Sequence, residues 1–126
     1  MSVPAKRVLV VDDDQLVCDS VRLMLALDGH TVETVSNAKT ALEVFQKGKF
    51  DLVMLDYEMP GMNGDELAAA IKALNLNQPI VMITAYPEML AMSGTPLVGV
   101  DLLIKKPFDL QEVRNAVAKL FSRPTK

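Results

Sequence analysis

Val8-Leu9-Val10-Val11 runs without interruption into Asp12-Asp13-Asp14. Four consecutive apolar residues with no polar alternation read as a strand covered on both faces, the pattern of a parallel sheet. Three carboxylates then arrive together at its carboxyl end. The arrangement recurs along the chain. Leu52-Val53-Met54-Leu55 ends at Asp56, Ile80-Val81-Met82-Ile83 at Thr84, and Leu102-Leu103-Ile104 at Lys105 and Lys106, before Pro107. A weaker candidate, His30 to Val35, alternates polar and apolar residues and fits a half-exposed edge strand.

Helical patterns lie between these runs. From Gln15 to Leu27 a broad apolar face is built by Leu16, Val17, Val21, Met24, Leu25 and Leu27, with Gly29 as a stop signal. Asn37 precedes Ala38, Ala41, Leu42 and Phe45, and Gly48 closes that segment. Leu67, Ile71 and Leu74 are spaced by four and three. Leu110, Val113, Val117, Leu120 and Phe121 form a stripe opened by Asp109, a suitable N-cap. Strands alternating with helices imply βαβ units and right-handed crossovers, hence an α/β fold with a doubly wound, five-stranded parallel sheet and helices on both faces. One segment fits poorly. A short helix from Glu88 to Met92 is expected before Ser93-Gly94-Thr95-Pro96 breaks it, with an irregular link to the last strand. Residues 1–5 and Pro124 to Lys126 read as loose ends.

The chain has 126 residues, the length of a single domain, with a core expected over about residues 6–121. Half of it is apolar and 23% is charged, an ordinary globular composition. Thirteen basic against sixteen acidic residues give a net charge of −3, which argues against a nucleic-acid-binding face. The lone cysteine, Cys18, cannot form an internal disulfide and points to a reducing compartment, the cytoplasm. No apolar run approaches the roughly 20 residues needed to span a bilayer, so no membrane partner is expected. The short run after Lys6 and Arg7 does not make a signal peptide.

In an open α/β sheet ligands bind beyond the carboxyl ends of the strands. Carboxylates, a hydroxyl and an ammonium are therefore expected at one edge. Two carboxylates about 4 Å apart repel by about 4 kcal/mol at an effective dielectric of roughly 20. Such a cluster takes up protons or recruits a cation, and hard carboxylate oxygens favour Mg²⁺ or Ca²⁺. Metal, ammonium and hydroxyl together suit phosphoryl transfer, which is mostly positioning and charge neutralisation. Asp56 can itself serve as covalent acceptor.

With these residues in view, the sequence resembles the receiver (response-regulator) domains of two-component signal transduction. The resemblance runs from about Lys6 to Phe121. It is carried by Val10-Val11-Asp12-Asp13-Asp14, by Asp56-Tyr57-Glu58-Met59-Pro60-Gly61-Met62-Asn63-Gly64, by Thr84-Ala85 and by Lys106-Pro107-Phe108. It implies a flavodoxin-like strand order 2-1-3-4-5. It also implies that Asp56 is the phospho-acceptor and that Asp12, Asp13, Asp56 and the backbone carbonyl of Glu58 hold Mg²⁺ (or Mn²⁺). Asp13 would bind the ion directly, and Asp12 directly or through water. Thr84 and Lys106 would each engage a phosphoryl oxygen, and the Lys106-Pro107 peptide is expected to be cis. The implied donor is a phosphohistidine on a sensor histidine kinase or histidine phosphotransfer protein. The domain would then be no conventional enzyme, catalysing only its own aspartyl phosphorylation and dephosphorylation. No room for an output domain is expected, so signalling would pass through a changed surface to a downstream protein, with weak homodimerisation compatible. The alternative is a receiver-like interaction module whose phosphorylation is vestigial. A Mg²⁺-dependent phosphatase would use Glu58 as general acid, but no cap or substrate pocket is expected within these 126 residues.

Two positions depart from the family pattern. Leu103 stands where an aromatic is usual, and Leu102 where an acid is usual. Coupling from Thr84 is therefore expected without an aromatic flip at Leu103. Other residues have structural readings. Asp14 suits a helix cap, Lys105 an outward strand position, and Cys18 a small buried filler. His30 reads as an exposed histidine in a turn, Tyr86 as either lining or covering the site mouth, and Met59 and Met62 as loop residues.

Overall fold

The apolar runs become adjacent strands because only neighbouring parallel strands can satisfy their backbones while both faces are covered by helices. The computed structural model describes residues 3–92 and 99–121. In chain order the elements are β1 (Arg7–Val11), α1 (Gln15–Leu27), β2 (Thr31–Val35), α2 (Ala38–Lys47), β3 (Leu52–Asp56), α3 (Gly64–Leu74), β4 (Ile80–Thr84), α4 (Pro87–Met92), β5 (Leu102–Lys105) and α5 (Leu110–Phe121). The sheet is wholly parallel with order β2-β1-β3-β4-β5. This is the doubly wound, flavodoxin-like arrangement expected. α4 is short, as expected, and begins at Pro87, one residue earlier than the periodicity suggested; proline is well suited to the first helical position. The Ser93-Gly94-Thr95-Pro96 break lies outside the described residues.

Alternate residues of each strand serve opposite faces. Leu9, Val11, Val53, Leu55, Ile80 and Met82 pack beneath α2 and α3. Val8, Val10, Leu52, Met54, Val81 and Ile83 pack beneath α1 and α5. All five residues of β3 and of β4 are buried, whereas the edge strand β2 is half exposed. Full burial of each such Val, Leu or Ile contributes about 1.5–3 kcal/mol.

Helix starts follow their caps. The Asp14 side chain accepts from Leu16 N–H at 2.9 Å, that of Asn37 from Thr40 N–H at 2.8 Å, and that of Asp109 from Glu112 N–H at 2.9 Å. Glu66 reaches back to accept from Asn63 N–H at the start of α3.

His30 is a correction. It is buried rather than exposed, and its Nδ1 accepts the Lys6 N–H at 2.9 Å. The physical reason is pairing just before β1 and β2, where Thr31 N–H also donates to Lys6 O at 2.9 Å. The ring turns inward to cover that junction.

Candidate functional site

β1 and β3 are neighbours, so their carboxyl ends deliver Asp12 and Asp56 side by side, while Asp13 follows on the loop. Oxygens of Asp12, Asp13 and Asp56 all lie within 4.8 Å of one another. Asp12 and Asp56 are buried, at 1% and 2% exposure, while Asp13 faces solvent. The Lys106 ammonium bridges the buried pair, 3.2 Å from Asp12 Oδ2 and 3.1 Å from Asp56 Oδ1. The backbone supports that reach. Lys106 N–H donates to Thr84 O at 2.8 Å, and the Lys106-Pro107 peptide is cis, as expected.

The electrostatics follow from this crowding. Burial, reinforced by the Asp12 charge and only partly opposed by Lys106, pushes the Asp56 carboxyl up to about 6. Asp12 is also raised, chiefly by burial, against the Asp14 N–H bond and the Lys106 charge. Burial works to lower Lys106, but Asp56 and Asp12 outweigh it and hold the ammonium above its usual range. The Cys18 thiol donates to Asp12 O at 3.3 Å, and burial and the Asp12 charge push it up to about 11. It is an inert, buried side chain.

Asp12 Oδ2 and Asp56 Oδ1 are buried with no hydrogen-bond partner beyond the ion pair to Lys106. Such under-satisfied carboxylate oxygens, beside a third carboxylate open to solvent, fit a hard divalent cation of the Mg²⁺ type.

Thr84 closes the other side of the edge. It is fully buried at the end of β4, and its hydroxyl donates to Glu58 Oε2 at 2.7 Å while accepting from Tyr86 N–H at 3.1 Å. Glu58 Oε1 lies 3.4 Å from Ala85 N–H. The sequence offers Glu58 as a backbone ligand or, in a phosphatase, a general acid; neither anticipates the contact of its side chain with Thr84. An acid two residues beyond Asp56 was the available signal, but its direction depends on the loop.

That loop is tightly built. Tyr57 N–H donates to Ile83 O at 2.8 Å and Gly64 N–H to Tyr57 O at 2.9 Å. Gly61 turns it with φ +86°, a conformation that L side chains rarely adopt. Met59 is buried and joins Met62 against the α2–α3 side of the core. Asp14 caps α1 rather than joining the cluster, Lys105 points outward beside Glu88 at 3.7 Å, and Tyr86 and Leu103 are exposed. Among the described residues no helix is long and apolar enough to cross a membrane.

Comparison with known proteins agrees with this arrangement. Residues 8–118 match the family described as response regulator receiver domain. The chain is 31% identical over 114 residues to sporulation initiation phosphotransferase F of Bacillus subtilis, covering 90% of this chain and 92% of that protein. It is 32% identical over 119 residues to response regulator MprA of Mycolicibacterium vanbaalenii, covering 94% of this chain. There it spans 52% of the relative, about half its length. The fold matches response regulator TrrA of Thermotoga maritima, solved in complex with Mg²⁺-BeF, with a TM-score of 0.84 at 34% identity, covering 92% and 99% of the two chains. It matches chemotaxis response regulator CheY4 of Vibrio cholerae with a TM-score of 0.85 at 28% identity, covering 93% and 99%. With fold, acidic edge and sequence in agreement, the chain belongs to the response regulator receiver domain family.

Proposed function

We propose that Asp56 accepts a phosphoryl group from a phosphohistidine of a sensor histidine kinase or histidine phosphotransfer protein, and that the modified surface then engages a downstream protein in the cytoplasm. The observation carrying this reading is the meeting of three carboxylates within 4.8 Å beside the Lys106 ammonium. Asp12, Asp13, Asp56 and the Glu58 carbonyl would hold Mg²⁺ (or Mn²⁺), which when bound offsets negative charge on the transferring phosphoryl group. An Asp56 carboxylate oxygen attacks phosphorus, the bond from phosphorus to the imidazole nitrogen breaks, and that nitrogen keeps the electron pair. Lys106 already pairs with Asp56 Oδ1, so it is positioned to turn to a phosphoryl oxygen once Asp56 becomes an acyl phosphate. Thr84 supplies a second donor from β4. Leu103, 42% exposed, offers no ring to flip, so the signal leaves through the loops around Thr84 and Glu58.

The test is incubation with acetyl phosphate and Mg²⁺, followed by intact-mass measurement. A gain of one phosphate that vanishes in Asp56→Asn and on chelation supports the reading. No gain favours an interaction module with vestigial phosphorylation, and steady turnover of unrelated phosphate esters favours a phosphatase.

A further inference from the structure

A threonine hydroxyl carries one proton and donates to one acceptor at a time. In this structure the Thr84 proton is committed to Glu58 Oε2 at 2.7 Å, while an oxygen lone pair is occupied by Tyr86 N–H at 3.1 Å. The hydroxyl is therefore held from both sides and turned toward the β3–α3 loop. We infer that the Glu58 side chain is an internal competitor for the Thr84 hydroxyl, holding the domain in its unmodified state until a phosphoryl group on Asp56 displaces it. The inference rests on the phospho-acceptor reading of Asp56 and deepens it by naming a positioning residue.

The geometry makes the exchange local. Glu58 lies two residues beyond Asp56 and is exposed, so its carboxylate can leave Thr84 for water without an unpaired charge being buried. The loop base stays fixed through Tyr57 N–H to Ile83 O and Gly64 N–H to Tyr57 O. The movement is thus confined to the Glu58 side chain and the Thr84 to Tyr86 backbone. When the hydroxyl turns, its bond to Tyr86 N–H must also be remade, which couples site occupancy to the exposed Tyr86 segment. Apparent affinity for a phosphoryl group scales with the fraction of molecules in which the hydroxyl is free.

The experiment titrates the full chain with beryllofluoride in excess Mg²⁺, following the Ala85 and Tyr86 amide signals by NMR. Glu58→Ala should tighten half-saturation by about fivefold, the scale of one hydrogen bond to an exposed acceptor. Glu58→Gln, which keeps an uncharged acceptor, should fall between. The gain from Glu58→Ala should persist in a Thr84→Ser background and vanish in Thr84→Val. An equal gain in Thr84→Val means simple charge repulsion and overturns the competition. A Glu58→Ala variant no tighter than the parent also overturns it, while leaving the acceptor reading intact. A parent chain that takes up no beryllofluoride overturns the acceptor reading, and the inference with it.

Discussion

Lys106 Nζ lies 3.1 Å from Asp56 Oδ1, and the same ammonium lies 3.2 Å from Asp12 Oδ2. One positive charge is therefore shared between two buried carboxylates and offsets only one of them, a deficit that a divalent ion would relieve. Lys106→Met should destabilise the metal-free protein by about 3 kcal/mol, because breaking a buried pair leaves charge uncompensated. Denaturant unfolding without divalent ions checks the loss. Mg²⁺ affinity, measured by calorimetry, should rise in the same variant, since the competing cation is gone.

Asp56 makes stability depend on pH. Its folded value of about 6 lies above the ordinary carboxylate value of 3.8. Its contribution is fully present below about pH 4 and is lost as pH rises through 6. Asp12 is raised in the same direction and adds to the trend. Asp56→Asn removes the Asp56 share, so its melting temperature should match the parent near pH 4 and exceed it near pH 7. The corresponding difference in unfolding free energy at pH 7 should reach about 2–3 kcal/mol. A scan of Tm against pH for both proteins provides the check, and equal slopes would contradict it.

Divalent ions should reverse that loss. Mg²⁺ at a hundredfold excess over its dissociation constant stabilises by about 2.7 kcal/mol, which raises Tm by several degrees in a domain of this size. Asp13→Ala removes the solvent-facing carboxylate of the cluster, and the Mg²⁺-dependent rise should be lost. Protons compete for Asp56, so the rise should also shrink as pH falls below about 6.

Gly64 is tightly confined at the start of α3. A Cβ there would sit 2.6 Å from Asp56 O and 2.7 Å from Tyr57 Cα, both backbone atoms that cannot step aside cheaply. Gly64→Ala should cost about 1–3 kcal/mol by overpacking. It should also slow acetyl phosphate labelling by displacing Asp56, measured by intact mass against time.

The strands and the acidic edge were legible because they depend on local pattern. A doubly covered strand reads as an unbroken apolar run, and a parallel sheet sends every such run to the same edge. The helix caps at Asp14 and Asp109 were equally local. What stayed hidden depends on partners distant in sequence. His30 is buried by Lys6, 24 positions away, and Glu58 meets Thr84 across 26. Arg114 forks onto Asp28 with bonds of 2.9 and 2.8 Å across 86. Spacing along the chain carries no record of which way a side chain turns once a loop has folded. Glu58 was thus visible as an acid near Asp56, but not as an occupant of the threonine.

Asp56 ends a strand whose every residue is enclosed, hemmed by β1 on one flank and β4 on the other. Any bulk attached to it has no inward escape, because neither backbone nor apolar filling yields there. Added volume and charge would project outward over the rim. A rigid interior would thus turn a small chemical mark at that position into an outward display.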